Sequence, residues 1–302
     1  VRQVGYDSRF ADLYDKKQAV VLCSEAKQAG YSCAEAKQAG YSCVEAKQAG
    51  WTSLEDLKQA GYSCGEARQA GYSCGEAKQA GYSCSEARQV GYSCSEAKQA
   101  GYSCGEAKQA GYSCSEARQV GYSCSEAKQA GYSCGEAKQA GYSCGEAKQA
   151  GWTSLTDLKQ AGYVEGLKEI GYSCGEVMRA GYSCGEAKQA GYSCGEAKQA
   201  GWTSLEDLKQ VGYSCGEAKQ AGYSCIEARQ VGYTSAEAKQ AGFDSRIVDL
   251  YDKKQAGYSC GEAKQAGYSC GEAKQAGWTS LTDLKQAGYV EGLKEIGYSC
   301  GE

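Results

Sequence analysis

The residues with the most chemical potential in this chain are its 20 cysteines, most of which recur every ten residues. Cys64, Cys74, Cys84, Cys94, Cys104, Cys114, Cys124, Cys134 and Cys144 form the longest run. Three chemistries fit thiols at such spacing. The first is packing: the slot of Cys260 is filled by Leu54 and Val164 in other copies, and a free cysteine behaves as a small hydrophobe. The second is disulfide formation, since so high a cysteine content is unusual in a reducing compartment. Runs of three (Cys23, Cys33, Cys43) and of nine strand thiols if only neighbours pair, so bridges would have to skip units or join separate chains. Any such pair needs Cα atoms within about 7 Å. The third is metal or redox service. There is no Cys-x-x-Cys, and no histidine to complete a zinc site. A helix N-terminus lowers a thiol pKa, so an exposed cysteine placed there would be reactive.

What must position these thiols is a ten-residue unit, of which Gly257 to Ala266 is a clear copy. Ser259 and Glu262 have the spacing of a capping box, in which the hydroxyl accepts from the Glu262 N–H and the carboxylate reaches back to the Ser259 N–H. Gly267 stands where a left-handed residue ends the helix, and Tyr268 follows where a Schellman turn wants an apolar contact with Ala263. Tyr258, before the cap, can close a hydrophobic staple on the same alanine. The inward positions follow i, i+3, i+6 at Cys260, Ala263 and Ala266. The position of Gly261 accepts Ala34, Val44, Ser85 and Ile226, the tolerance of a site near the surface. Lys, Arg and Gln fall on the outward side of the last turn and read as a solvated face. A helix this short does not survive alone, because nucleation is too costly below about 12 residues. Neighbouring copies must hold it.

About 29 such units run from Gly5, and their exceptions are informative. Fifteen-residue forms at Gly5 to Ala19 and Gly242 to Ala256 predict longer helices, capped by Asp7 or Ser8 and by Asp244 or Ser245. Val20-Val21-Leu22 replaces the usual Gly-Tyr-Ser. Eleven-residue forms carry Trp51, Trp152, Trp202 and Trp278, each followed by an inserted threonine. These tryptophans could mark lateral contacts, or could fill the space that the insertion opens. Nine-residue forms, Gly162 to Ile170 and Gly288 to Ile296, are predicted to be helical too, with Val164, Leu167 and Ile170 in the inward slots. Joined end to start, Tyr298 to Glu302 and Val1 to Gly5 complete one more unit, so the array is expected to continue beyond this chain.

These readings predict an all-α fold, a superhelical α-solenoid of short capped helices about ten residues apart, forming a single continuous repeat array over residues 1–302. The motif Ala-Gly-Tyr-Ser-x-x-Glu-Ala, as in Ala266 to Ala273, resembles the decapeptide tandem-repeat proteins of unicellular algae and other protists. That resemblance covers nearly the whole chain and implies no activity. Lack of histidine removes imidazole acid–base chemistry, and no catalytic residue, cofactor or metal ligand is assigned. The 33 basic and 37 acidic residues are mixed along the length, giving no basic stripe for nucleic acid. No apolar run reaches membrane-span length.

The leading functional expectation is a non-enzymatic structural protein, a fibre, tube or appendage subunit polymerising with itself and hardened by disulfides if its thiols are oxidised. An extracellular or cell-surface location goes with that oxidised form. Near-identical units favour building material over recognition, which diversifies its exposed positions. The alternative is a scaffold presenting a repeated surface to a protein partner, and the third reading is a thiol-rich redox or metal store.

Overall fold

In a computed structural model, which describes residues 8–18 and 21–297, the repeat is realised as local sequence chemistry dictates. The unit around Ser103 shows how. Its helix, Cys104–Gln109, has Ser103 as N-cap: the Oγ accepts from the Glu106 N–H at 3.2 Å, and the Ser103 N–H donates to the Glu106 carboxylate at 2.8 Å. Two of the four donors orphaned at a helix N-terminus are thereby satisfied. At the other end the Gly111 N–H donates to the Lys108 carbonyl and the Tyr112 N–H to Ala107, the two bonds of a Schellman turn. Gly111 has φ +93°, a conformation that a side chain would strain. The site residues Ser259, Glu262 and Gly267 stand in the same arrangement, with Gly267 at φ +79°.

Among the described residues there are 26 α-helices, one 3-10 turn and no strands. They fall into two compact units, Val1–Thr153 and Ser154–Glu302, divided within the Trp152-Thr153-Ser154 turn. In the first unit, helix Cys84–Gln89 packs on its chain neighbours and also on Cys64–Gln69 and Cys104–Gln109, the helices two steps away in each direction. In the second, Cys194–Ala200 packs in the same way on Cys174–Arg179 and Cys215–Gln220. A layer is therefore two helices deep, and contacts repeat from layer to layer. This is the nearest-neighbour stacking of a solenoid.

The core differs in one respect from the i, i+3, i+6 expectation. The first two slots are buried, as at Cys104 (4%) and Ala107 (0%), but the third, at the C-cap, is buried in some units, as at Ala39 and Ala276, and half-buried in others, as at Ala110. Tyrosine adds the largest share of the core: Tyr41, Tyr62, Tyr163 and Tyr213 are the largest fully buried side chains. The residue after the Schellman glycine folds back over the end of so short a helix.

Units that change the cap chemistry change the structure. In the eleven-residue units Ser53 still accepts from the Asp56 N–H at 3.3 Å, but aspartate, one methylene shorter than glutamate, completes no capping box. Leu54 and Leu57 are buried in the slots of Cys and Ala. Leu22 stands at an N-cap with no side-chain bond to offer and remains 63% exposed. The second long helix, Ser245–Gln255, is capped by Asp244, which accepts from the Arg246 N–H at 2.8 Å. Its counterpart is Ser8–Gln18; Asp7 lies outside the described residues, as do Val1 to Gly5 and Tyr298 to Glu302.

The nine-residue units overturn the expectation of further α-helices. Residues 165–170 form turns, and the second copy has only the 3-10 turn Glu291–Leu293. Neither has a Ser or Thr in the cap position, and Gly166 adopts φ +84° inside the segment where a helix would require a negative value. Leu167 and Leu293 are buried as expected, but Val164 is only half-buried and Val290 is 68% exposed.

Removing one cap should be felt locally and measurably. Ser103→Ala is expected to lower stability by about 1 kcal/mol in urea titrations followed by circular dichroism, and Ser103→Asp to retain most of it.

Candidate functional site

The tyrosine of each unit does more than staple a helix. Its carbonyl lies just outside the following helix, where no intrahelical donor reaches it, and a buried carbonyl without a donor is costly. The donor comes from the next layer. The Tyr102 hydroxyl donates to the Tyr82 carbonyl at 2.6 Å, Tyr82 to Tyr62 at 2.5 Å, and Tyr62 to Tyr41 at 2.9 Å. Tyr122 and Tyr142 extend this column. A second column interleaves with it: Tyr72 donates to Thr52 at 3.0 Å, and Tyr92, Tyr112 and Tyr132 follow in turn. The second compact unit builds the same bonds, among them Tyr213 to Tyr192 at 2.8 Å and Tyr182 to Tyr163 at 3.0 Å.

Sequence reasoning placed tyrosine at the turns and missed this bond. A signal was nonetheless present, because a staple needs only the ring, yet the chain has 25 Tyr and only two Phe. Where Phe243 takes the position, burial is also incomplete. The eleven-residue units fit the same logic. Trp51 and Trp202 replace the tyrosine, and the carbonyl of the inserted threonine becomes the acceptor, from Tyr72 to Thr52 and from Tyr223 to Thr203 at 2.9 Å.

The cations are also more engaged than a solvated face implies. Lys47 sits 3.8 Å from the centroid of the Tyr72 ring and donates to the Ala70 carbonyl at 2.9 Å. Arg88 lies 4.8 Å from the Tyr112 centroid and donates to the Ala110 carbonyl at 2.8 Å. Lys58 reaches the Gly81 carbonyl and the Tyr82 ring in the same manner. Each cation thus satisfies the open C-terminal carbonyls of a helix one layer on while resting on the aromatic face that covers it. The solvated-face reading fails because these carbonyls and rings, invisible within one unit, lie within reach of the preceding layer's long basic side chains.

Every described cysteine is buried. The thiols of Cys64, Cys74, Cys84, Cys94, Cys104, Cys114, Cys124 and Cys144 are free, and Cys134 is buried among them. Burial pushes Cys64 and Cys84 up to about 11 and Cys124 to about 12. The helix N-terminus therefore loses to desolvation, and these groups stay protonated at neutral pH. The capping carboxylates go the other way: bonds from the Ser93 backbone and side chain hold Glu96 below the ordinary glutamate value.

The remaining site residues occupy ordinary places in the stack. Tyr258 and Tyr268 are half-buried beside the second long helix, where the Tyr268 hydroxyl meets Lys253 at 3.3 Å and its carbonyl accepts from Tyr289. Trp51, Trp152 and Trp202 are half-buried and Trp278 is buried; Lys27, Lys128 and Lys254 cover Trp51, Trp152 and Trp278 from 5.2 to 5.4 Å. Shallow recesses recur at one position of the repeat, as where Ser214 and Cys215 face Glu237 and Gln240, and Ser259 and Cys260 face Asp283 and Gln286. Among the described residues no three His, Cys, Asp or Glu side chains converge to hold a metal ion, and no helix is long and apolar enough to cross a membrane.

Short capped helices, stacked in layers by a repeated tyrosine bond, define an all-α tandem-repeat protein of the solenoid class. The family model for the Decapeptide repeat region matches residues 21–94, 91–165 and 171–245, and the chain belongs to that family. No curated protein and no solved structure matches it.

Two measurements test the ladder. Tyr102→Phe leaves the Tyr82 carbonyl without its donor and is expected to cost about 1 to 3 kcal/mol in chemical denaturation. In alkali, burial holds Tyr92 and Tyr112 near 12 against an ordinary 10.0, and Cys64 near 11 against 9.0. Raised acid groups contribute stability that is complete below their unfolded values and lost as pH climbs through the folded ones. The helical signal should therefore hold to about pH 9 and collapse between there and pH 12, with tyrosinate absorbance appearing in the same transition.

Proposed function

We propose that this protein is a non-enzymatic structural element, a fibre, tube or appendage subunit whose cohesion is the stacking of identical layers and which associates with further copies of itself by extending that stacking. One observation carries the reading: the tyrosine hydroxyl that closes one layer onto the next makes the same bond at successive steps of both columns, so each layer is complementary to another of its own kind. A surface that matches itself in translation supports open-ended, head-to-tail assembly. The recesses at Ser214 and at Ser259 occupy equivalent places in their units, and no side chain there distinguishes either as a reaction centre. Their regularity speaks for material rather than catalyst. The thiols enter as packing groups, since buried and protonated sulfur is a poor nucleophile.

Electron microscopy of the purified chain, with and without reductant, tests this proposal. Elongated polymers that persist in reductant are expected. Monodisperse particles of one chain at every concentration would refute it, and polymers that dissolve on reduction would replace layer stacking with disulfides as the source of cohesion.

A further inference from the structure

Residues 141–152, 191–202 and 267–278 are identical in sequence, yet the side chain that the preceding layer lays against them is not. In the first and third it is a lysine. Lys128 and Lys254 stand 5.4 and 5.2 Å from the ring centroids of Trp152 and Trp278, and a Cβ placed on Gly151 or Gly277 would lie 2.7 or 2.8 Å from their ammonium nitrogens. Lys254 also donates to the Gly277 carbonyl at 2.5 Å. In the middle copy the same position holds Met178, the single methionine of the chain. A Cβ on Gly201 would lie 3.1 Å from both its Sδ and its methyl carbon.

The helix end under Met178 differs accordingly. Cys144–Gln149 and Cys270–Gln275 end with Ala150 and Ala276 as C-caps, whereas Cys194–Ala200 runs one residue further and is capped by Gly201. Gly201 has φ +121°, against +99° for Gly151 and +103° for Gly277. Its N–H donates to the Lys198 carbonyl at 3.2 Å, where the counterpart bonds from Gly151 and Gly277 measure 2.9 and 3.0 Å. With the segment's own sequence held constant, the change tracks the covering side chain. A thioether has no proton to give the C-terminal carbonyls that an ammonium group satisfies.

Met178 is also the sulfur within reach of solvent. It is half-buried beside the exposed Gly201, whereas every described cysteine is buried. Burial pushes Cys174, on the same helix, and Cys194, on the helix it packs against, up to about 11. A thiol is oxidised as its thiolate, while a thioether needs no ionisation.

We propose that Met178 is an oxidation site at which hydrogen peroxide loosens one layer of the stack. The sulfur attacks one peroxide oxygen: an S–O bond forms, the O–O bond breaks, sulfur loses two electrons to become the sulfoxide, and the other oxygen leaves as water with both protons. The sulfoxide oxygen only accepts hydrogen bonds, and it enters beside helix C-terminal carbonyls, where the equivalent layers place a cation. Acceptor set against acceptor weakens the Gly201 turn. Lys128 and Lys254 exempt the two identical turns, so the response is confined to one place.

Peroxide titration of the full chain, read by peptide mass spectrometry and amide hydrogen exchange, tests this. One oxygen should enter at Met178 before any cysteine is oxidised, and exchange at the Gly201 and Trp202 amides should rise about tenfold while Gly151 and Trp152 stay unchanged. Met178→Lys should slow exchange at Gly201 below that of the unaltered chain, and Met178→Leu should show no response to peroxide. Cysteine oxidation ahead of Met178, sulfoxide formation that leaves the Gly201 turn unaltered, an equal rise at Gly151, or a response that persists in Met178→Leu would overturn the proposal.

Discussion

A buried carbonyl with no helix to serve it is the constraint around which this molecule is arranged. The standard unit ends in a left-handed glycine, turns its tyrosine inward, and leaves that tyrosine's carbonyl outside the next helix, as at Gly81 and Tyr82. The hydroxyl of the tyrosine one layer on supplies the donor, as Tyr102 does for Tyr82. Neither group would be satisfied within a single decamer. The interaction that completes one layer therefore requires another, which explains why helices of six residues persist here although far longer ones are marginal in isolation.

Other contacts follow from this spacing. Once layers are stacked, the C-terminal carbonyls of each helix and the face of its tyrosine lie within reach of a basic side chain in the layer before, and Lys47, Lys58 and Arg88 use both at once. The small residues, Cys and Ala, sit where helices approach most closely. Burial keeps the sulfur protonated, while solvent-side glutamates such as Glu96 remain ionised to cap their helices. Charge stays at the helix ends, and along the tyrosine columns each buried hydroxyl is paired with a carbonyl.

What could be read from the sequence was what a decamer settles by itself. Ser259, Glu262 and Gly267 specify their helix through bonds three to five residues long, and the structure places them accordingly. Asp244, rather than Ser245, caps the long helix for equally local reasons. Misreadings arose where the deciding partner lay a layer away. The tyrosine hydroxyl was overlooked because its acceptor is some twenty residues distant, and the cations were assigned to solvent because their carbonyls belong to another unit. Val164 was misplaced for a different reason. Alignment put it in the cysteine slot, but without a capping hydroxyl, and with Gly166 left-handed, no α-helix forms to turn it inward.

The handling of Trp51 has a consequence for how such a gene can change length. Thr52 enters the chain and its carbonyl takes the acceptor role, so an added residue leaves the ladder unbroken. Because the two columns are chemically equivalent, gaining or losing a whole decamer merely exchanges them and orphans no interior group. Duplication and deletion between identical segments, such as 151–176 and 277–302, then yield chains that still fold. Array length becomes a freely adjustable variable, set by recombination rather than by the architecture.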